Sequence, residues 1–277
     1  MIRVGTRGSA LALAQAKWVA DRLGDQAELI TVTTAGDRGE DAGDKSRWVS
    51  ALERALLEDR IDVAVHSAKD VPAELGDGLE LVAIPARADP RDAICGADSI
   101  EALPPGARVG TSSLRRTAQL RAARDDLKIV PVRGNVDTRL RKLAEGQFDA
   151  LVLAAAGLSR LDREPDGILD ELVPAAGQGA LALEARPDRA WGELSDPDTT
   201  VCVLAERELT RRLEASCNTP IGAYARPLGD GQIELRAWIG RPDGSAWLTD
   251  RLIGAPERLG VEVAERMLAA GAGDLLA

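Results

Sequence analysis

The chain has 277 residues, long for one compact domain, and the usual domain size suggests two or three. Its formal net charge of −10 argues against a general nucleic-acid binder, so any anion-binding role must come from arginines concentrated locally against an acidic background. Hydrophobic residues make up 45% of the chain and aromatics only 3%, which implies a core of Ala, Val, Leu and Ile, suited to parallel strands covered by helices. A single histidine and the widely spaced Cys95, Cys202 and Cys217 offer no metal-ligand spacing, so no metal is expected, and an odd cysteine count speaks against a disulfide framework.

In chain order, the first stretch reads as strand (2–5), helix (10–23), strand (28–33), a polar loop (35–47), helix (49–58) and strand (61–65). Leu11 to Ala16 is broken by Gln15 and followed by Lys17 and Asp21, the pattern of an amphipathic helix and not of a signal peptide. No apolar run reaches the length of a membrane span, so no membrane partner and a cytoplasmic address are expected. The loop, rich in Gly, Asp and Lys, reads either as simple surface or as a cover over a cleft. Ala88-Asp89-Pro90-Arg91-Asp92 reads as a crossing into a second lobe with strand (108–110), helix (114–123), strand (128–132), helix (136–145) and strand (150–155). Pro174 to Gly179 reads as a second crossing, after which the strand 180–184 returns to the first lobe, and two crossings suggest a hinge. The remainder carries a helix (200–214), strands around 233–239 and 245–252, and a last helix (256–270).

Two echoes divide this pattern. Arg3-Val4-Gly5-Thr6 recurs as Arg108-Val109-Gly110-Thr111, and Ile61-Asp62-Val63-Ala64-Val65 has its counterpart in Phe148-Asp149-Ala150-Leu151-Val152-Leu153. One α/β design is therefore used twice. The expected fold is two similar α/β lobes of the periplasmic-binding-protein kind plus a small C-terminal α+β domain: domain 1 over 1–87 and 178–197, domain 2 over 88–177 and domain 3 over 198–277.

Ligands of open α/β sheets sit beyond the carboxyl ends of the strands. The segments there are Thr6-Arg7-Gly8-Ser9, His66-Ser67-Ala68-Lys69-Asp70, Gly110-Thr111-Ser112-Ser113-Leu114-Arg115-Arg116, Arg133-Gly134-Asn135-Val136-Asp137-Thr138-Arg139 and Ala156-Gly157-Leu158-Ser159-Arg160. Hydroxyl residues at helix starts leave free N–H groups facing outward, which attract anions. A lone arginine after such a cap reads most simply as the partner of a surface carboxylate. Six at cleft-facing junctions (Arg7, Arg115, Arg116, Arg133, Arg139 and Arg160) point instead to a ligand bearing several carboxylates, which guanidinium groups grip through paired hydrogen bonds. Asp70 reads equally as a turn cap before Pro72 and as a carboxylate that stabilises a cation or shuttles a proton. His66 reads as a structural side chain, not a general base. Cys217 lies in a small polar turn, where a thiol can be reactive or merely structural; Cys95 and Cys202 lie in apolar surroundings and read as inert.

Together these residues resemble the hydroxymethylbilane synthase, or porphobilinogen deaminase, family nearly end to end. The carriers are Gly5-Thr6-Arg7 with Ser9, Val65-His66-Ser67 with Lys69-Asp70-Val71-Pro72, Asp89 to Ala93, Gly110 to Arg116, Arg133-Gly134-Asn135 with Thr138-Arg139, Ala156-Gly157-Leu158, Gly177-Gln178-Gly179-Ala180, and Cys217 with Pro220-Ile221-Gly222. The resemblance implies three domains and a monomer that condenses four porphobilinogen molecules head to tail, losing ammonia each time, before hydrolysis frees hydroxymethylbilane. It implies a dipyrromethane cofactor held covalently as a thioether on Cys217, with Lys69, Ser113, Arg115, Arg116, Arg133 and Arg139 at cofactor-binding positions. Arg7, Ser9, Ser67, Thr111, Arg160 and Gln178 fall on substrate-binding positions, and Asp70 falls on the catalytic aspartate.

Two departures from the family pattern stand out. Its loop often reads Gly-Gly-Lys-Gly-Leu-Phe with a further Lys upstream; here it is Gly43-Asp44-Lys45-Ser46-Arg47-Trp48 with Asp41 upstream, leaving Arg47 and Trp48 as substitutes. Ala215 and Ser216 stand where glycines often precede the cysteine. The rival from another class is a non-enzymatic two-lobed protein that captures a carboxylate or other oxyanion, for which neither Asp70 nor Cys217 is needed. A phosphoryl-transfer enzyme is a weaker rival still, because no Gly-x-x-x-x-Gly-Lys run followed by Ser or Thr appears.

Overall fold

The computed structural model describes residues 1–33, 46–215 and 219–276. In chain order the elements are β1 (Ile2–Thr6), α1 (Ala10–Leu23), β2 (Ala27–Thr31), α2 (Ser46–Leu57), β3 (Val63–Ser67), β4 (Glu80–Ala83), β5 (Asp92–Cys95), β6 (Arg108–Gly110), α3 (Leu114–Ala123), β7 (Lys128–Val130), α4 (Val136–Ala144), β8 (Ala150–Ala154), α5 (Ala155–Ser159), β9 (Gly167–Leu169), β10 (Leu181–Ala185), α6 (Pro197–Arg212), β11 (Ile221–Pro227), β12 (Ile233–Gly240), β13 (Trp247–Gly254), α7 (Pro256–Ala269) and α8 (Ala272–Leu276). The long periodic segments fall where the sequence places them, within a few residues. The strands β4, β5, β9 and β11 and the short helices α5 and α8 are additions. β5 and β9 have four and three residues, too few for an alternating pattern, and β5 is buried throughout.

The chain divides into two compact units, residues 1–88 with 180–200 and residues 89–179 with 201–277. The first unit holds one five-stranded sheet in the order β2-β1-β3-β10-β4. β1, β2 and β3 run parallel, and β10 is antiparallel to both β3 and β4. The second unit holds a sheet of the same design, β7-β6-β8-β5-β9, in which β6, β7 and β8 are parallel and β5 is antiparallel to β8 and β9. The sheets thus contain the parallel strands that the composition suggested, mixed with an antiparallel one. In each, the antiparallel strand is the one that follows directly on the stretch read as a crossing. The second unit also contains the three-stranded antiparallel sheet β11-β12-β13, whose core is closed by α6, α7 and α8 through Leu209, Val263, Met267 and Ala272.

The two sequence echoes meet in space, once in each unit. Asp62 Oδ2 accepts the backbone N–H of Arg3 at 2.7 Å, and Asp149 Oδ2 accepts that of Arg108 at 2.7 Å. Each arginine side chain then folds over the same carboxylate, Arg3 Nη2 reaching Asp62 Oδ1 at 2.8 Å and Arg108 Nη2 reaching Asp149 Oδ1 at 3.2 Å. These hydrogen bonds hold both carboxyls below the usual carboxylate range. The backbone completes the clasp: Asp62 N–H donates to Arg3 O and Asp149 N–H to Arg108 O, both at 2.9 Å.

The glycine of the repeat has an equally local cause. A Cβ on Gly5 would lie 2.2 Å from Ile61 Cδ1, and one on Gly110 would lie 2.5 Å from Leu151 Cδ2 and 3.0 Å from Phe148 Cδ1. The strand is bare at that position so that the apolar residue ahead of the clasping aspartate can pack across it. Gly5→Ala is therefore expected to lower unfolding stability by about 1–3 kcal/mol. Adding Ile61→Val, which removes Cδ1, should recover most of that loss even though Ile61→Val alone costs about 0.5–1.5 kcal/mol. Urea unfolding of the two single variants and the double variant checks this; strictly additive losses would contradict the packing account.

Candidate active site

In the first unit β1 and β3 are adjacent and parallel, so Thr6 and Ser67 end at the same edge of the sheet. The side chains that follow are anchored through their neighbours. Thr6 is buried and its hydroxyl donates to Ala12 O at 3.0 Å, which ties the strand end to α1. Ser9 caps α1, its Oγ accepting the Ala12 N–H at 3.3 Å, and Arg7 between them is half-buried. Ser67 Oγ accepts from the buried Gln15 Nε2 at 2.8 Å. A single 3-10 turn, Ala68–Asp70, then carries Lys69 and Asp70, both half-buried. That turn is pinned by Ala68 N–H to Ala180 O at 3.0 Å. His66 Nε2 lies 2.9 Å from Glu184 Oε2 on β10, both buried, in keeping with its reading as a structural side chain.

In the second unit β6, β7 and β8 present the remaining residues at their common carboxyl edge. Thr111 is buried, and its Oγ1 accepts the Ser113 N–H at 3.3 Å; Ser113 in turn caps α3, accepting the Arg116 N–H at 3.4 Å. Arg115 and Arg116 do not pair with surface carboxylates. Both are buried and converge on Asp92 of β5, which is 0% exposed. Arg115 Nη1 donates to Asp92 Oδ2 at 2.7 Å and Arg116 Nη2 to Asp92 Oδ1 at 2.7 Å. Each guanidinium also reaches a backbone carbonyl, Arg115 that of Val173 at 2.8 Å and Arg116 that of Val152 at 3.0 Å. Gln178 completes the cluster, its Nε2 donating to Asp92 Oδ1 at 2.8 Å and to Pro90 O at 2.7 Å.

Burial alone would push the Asp92 carboxyl up, but the charges of Arg115 and Arg116, with hydrogen bonds from Arg115 and Gln178, hold it well below the usual carboxylate range. The anchor of the Arg pair is thus an Asp in the Asp89-Pro90-Arg91-Asp92 run, which sequence reasoning quoted as a motif without giving this Asp a role. Gln119 was missed outright: its side-chain amide bonds both the N–H and the C=O of Val173, at 2.7 and 2.9 Å. A glutamine on a helix rich in arginine and alanine carries no sequence mark of such a partner.

Arg139 and Arg160 are different. Arg139 Nε donates to Gly134 O at 2.8 Å and Arg160 Nη2 to Gly179 O at 2.7 Å, but neither meets a carboxylate among the described residues. Burial lowers the pKa of Arg139, helped by the like charge of Arg116, and burial pushes Arg160 down to about 10. Both remain cations at neutral pH, half-buried and short of negative charge, an arrangement that suits an anionic guest. Arg133 is exposed, and its carbonyl accepts from Lys142 Nζ at 3.2 Å. Gly134 has φ +112°, and a Cβ there would lie 2.6 Å from Thr138 Cγ2, so this glycine serves the cap of α4. Cys217, the loop 35–45 and the side chains of Arg47 and Trp48 lie outside the described residues. Cys95 and Cys202 are buried, and burial pushes the Cys95 thiol up to about 11, in keeping with their inert reading.

Removing one member of a buried charge cluster leaves the others uncompensated. Asp92→Ala is expected to cost about 3–5 kcal/mol of unfolding stability, and Asp92→Asn less because the amide still accepts. Since the folded carboxyl lies below its unfolded value of about 3.9, its contribution is complete above about pH 4 and is shed as pH falls further. Urea unfolding at neutral pH and in steps below pH 4 should show that acid-dependent loss diminished in Asp92→Asn.

A family model described as porphobilinogen deaminase, dipyromethane cofactor binding domain, matches residues 2–192, and one described as porphobilinogen deaminase, C-terminal domain, matches residues 200–269. A porphobilinogen deaminase of Brevibacillus brevis is 46% identical, the match covering 99% of this chain and 96% of the relative. One of Deinococcus deserti is 44% identical over 99% of this chain and 97% of the relative. Among solved structures, the periplasmic aliphatic sulphonate binding protein SsuA of Escherichia coli is 13% identical at a TM-score of 0.40, covering 97% of this chain and 87% of that one. By both family models and two near-full-length relatives, the chain belongs to the porphobilinogen deaminase family.

Proposed function

We propose that this chain is a hydroxymethylbilane synthase, a transferase that joins four porphobilinogen molecules head to tail with loss of ammonia and then releases hydroxymethylbilane by hydrolysis. The observation that carries the reading is the family match over both lobes and the C-terminal part, at 44–46% identity. The half-buried Arg139 and Arg160, short of carboxylate partners among the described residues, support it, because every pyrrole unit brings an acetate and a propionate. The same two guanidiniums fit a dipyrromethane cofactor, which is two such units. When bound, that group supplies the electron-rich pyrrole carbon at which chain growth begins.

The residue roles are part of the proposal. Asp70 accepts the pyrrole N–H as positive charge develops on loss of ammonia, and it takes up a proton at its carboxylate after coupling. Its place on a short turn after β3, fixed by the Ala68 to Ala180 hydrogen bond, favours such a fixed role. Arg7, Ser9, Ser67, Thr111, Arg160 and Gln178 receive the substrate. Lys69, Ser113, Arg115, Arg116, Arg133 and Arg139 serve the cofactor, and Cys217 anchors it through a thioether. Since Arg115 and Arg116 are already bonded to Asp92, they contribute chiefly through their remaining N–H groups and their fixed charge, while Gln178, whose amide N–H groups go to Asp92 and Pro90, helps to hold that carboxylate in place. We extend the proposal to three domains, over 1–87 with 178–197, 88–177 and 198–277, and to a cytoplasmic monomer that binds neither nucleic acid nor membrane. None of the described helices is long and apolar enough to cross a membrane.

Two measurements test this. The denatured intact mass of the purified chain should exceed its sequence mass by two deaminated pyrrole units, and Cys217→Ala should lack the increment. A wild-type chain still unmodified after incubation with porphobilinogen would overturn the reading in favour of a binding protein. Asp70→Asn should keep both the fold and the added mass, while its turnover of porphobilinogen falls about a hundredfold or more. Near-normal turnover would remove Asp70 from the chemistry.

A further inference from the structure

We propose that the first unit carries a second binding site, for a small planar aromatic carboxylate, in the cavity between α1 and residues 189–196. The cavity has a volume of about 660 Å³, within the roughly 300–1,000 Å³ of small-molecule sites. It draws on none of the residues assigned to the reaction, and it rests on the first unit alone, independently of the proposed function.

Its walls combine apolar surface with cations. Ile2, Leu23, Pro85 and Leu194 line it, together with two indoles, Trp18 and Trp191. Each indole has a guanidinium at its face: Arg22 lies 3.3 Å from the Trp18 ring centroid and Arg189 lies 5.6 Å from that of Trp191. A guanidinium on an indole face leaves its in-plane N–H groups available at the rim. Arg22 uses one of them on Trp18 O, at 3.2 Å. Arg189 makes no hydrogen bond or ion pair among the described residues. The carboxylates on the lining do not neutralise the pair: Asp196 is committed to the Thr199 N–H at 2.7 Å, and Glu193 is exposed.

The wall is pinned in place. Trp191 is only 5% exposed, and the 3-10 turn Gly192–Leu194 follows it. The Asp196 N–H donates to Ile84 O at 2.9 Å, and Ser195 Oγ accepts the Ile84 N–H at 3.3 Å, so the segment is stitched to the chain just after β4. The Trp191 indole N–H is buried without an acceptor, a polar group that a guest's oxygen would satisfy after a small shift of the ring. Flat apolar walls call for a planar ring, while two rim guanidiniums and a spare N–H call for an oxyanion on it. An aromatic carboxylate supplies both.

The test is calorimetric titration of the full-length holoenzyme with 2-naphthoate, with 2-naphthalenemethanol as the uncharged counterpart. We expect one saturable site in the micromolar range, at least tenfold weaker for the alcohol and at least tenfold weaker in the Arg22→Met/Arg189→Met double variant. Both arginines are exposed, so the double variant should fold; its circular dichroism and melting temperature establish that. Trp191→Phe, which keeps a flat wall but removes the N–H, should weaken binding severalfold. Absence of saturable binding overturns the proposal, and so does an affinity that the double variant leaves unchanged, which would move the site elsewhere. Equal affinity for the alcohol would overturn the carboxylate assignment.

Discussion

One buried carboxylate holds the second unit in order. Asp92 sits at the start of β5 with no access to water, and two arginines of α3 and the amide of Gln178 all donate to it. Three parts of the chain far apart in sequence are thereby tied at one point: the Pro90 run, the start of α3 and the segment leading to β10. Three charged groups buried together are stable only when each satisfies the others, so none of these residues can be changed alone without stranding the rest. The carbonyls of Val152 and Val173 absorb further N–H groups of the arginines, and Gln119 grips Val173 from the other side.

This anchoring sets the character of the positive region. Arg115 and Arg116 share one aspartate, so the cluster keeps a net positive charge inside the protein. Burial and then the like charge of Arg116 lower the pKa of Arg139, and Arg160 stands half-buried with a carbonyl as its hydrogen-bond partner among the described residues. Charge of this kind is costly to keep in an acidic protein unless something anionic returns to it. The chain's overall charge of −10 therefore coexists with a strongly cationic strand edge, and the contrast favours a particular anion over anions at large.

Much of this was legible in the sequence because the signals were local. Ser9, Ser113 and Asn135 sit at helix starts that their own side chains cap, and the paired Arg-Val-Gly-Thr and Asp echoes correspond to a clasp formed once per unit. What escaped was non-local. β5 is four residues of buried strand whose partners lie more than fifty positions away, and nothing in Asp92-Ala93-Ile94-Cys95 announces an antiparallel neighbour. The end of α6 also differed: the helix stops at Arg212, not Glu214, because Glu214 adopts φ +51° without the glycine that usually marks such a stop. Arginine after a serine cap reads the same whether its partner is a bulk ligand, a surface acid or, as here, a buried aspartate.

The two sheets share a design but not an order of manufacture. All five strands of the second unit's α/β sheet lie between residues 92 and 169, so that sheet is complete in the growing chain once β9 has been made. The first unit's sheet needs β10, residues 181–185, between β3 and β4. Until those residues leave the ribosome, β3 keeps an open edge and β4 has no hydrogen-bonded neighbour. Synthesis runs at about 5–20 residues per second, so the sheet that begins the chain waits several seconds with a raw strand edge while the α/β sheet behind it can already close. The N-terminal α/β sheet is thus the later of the two to become whole, and the interval is a window for mispairing that a simple head-to-tail repeat would not have.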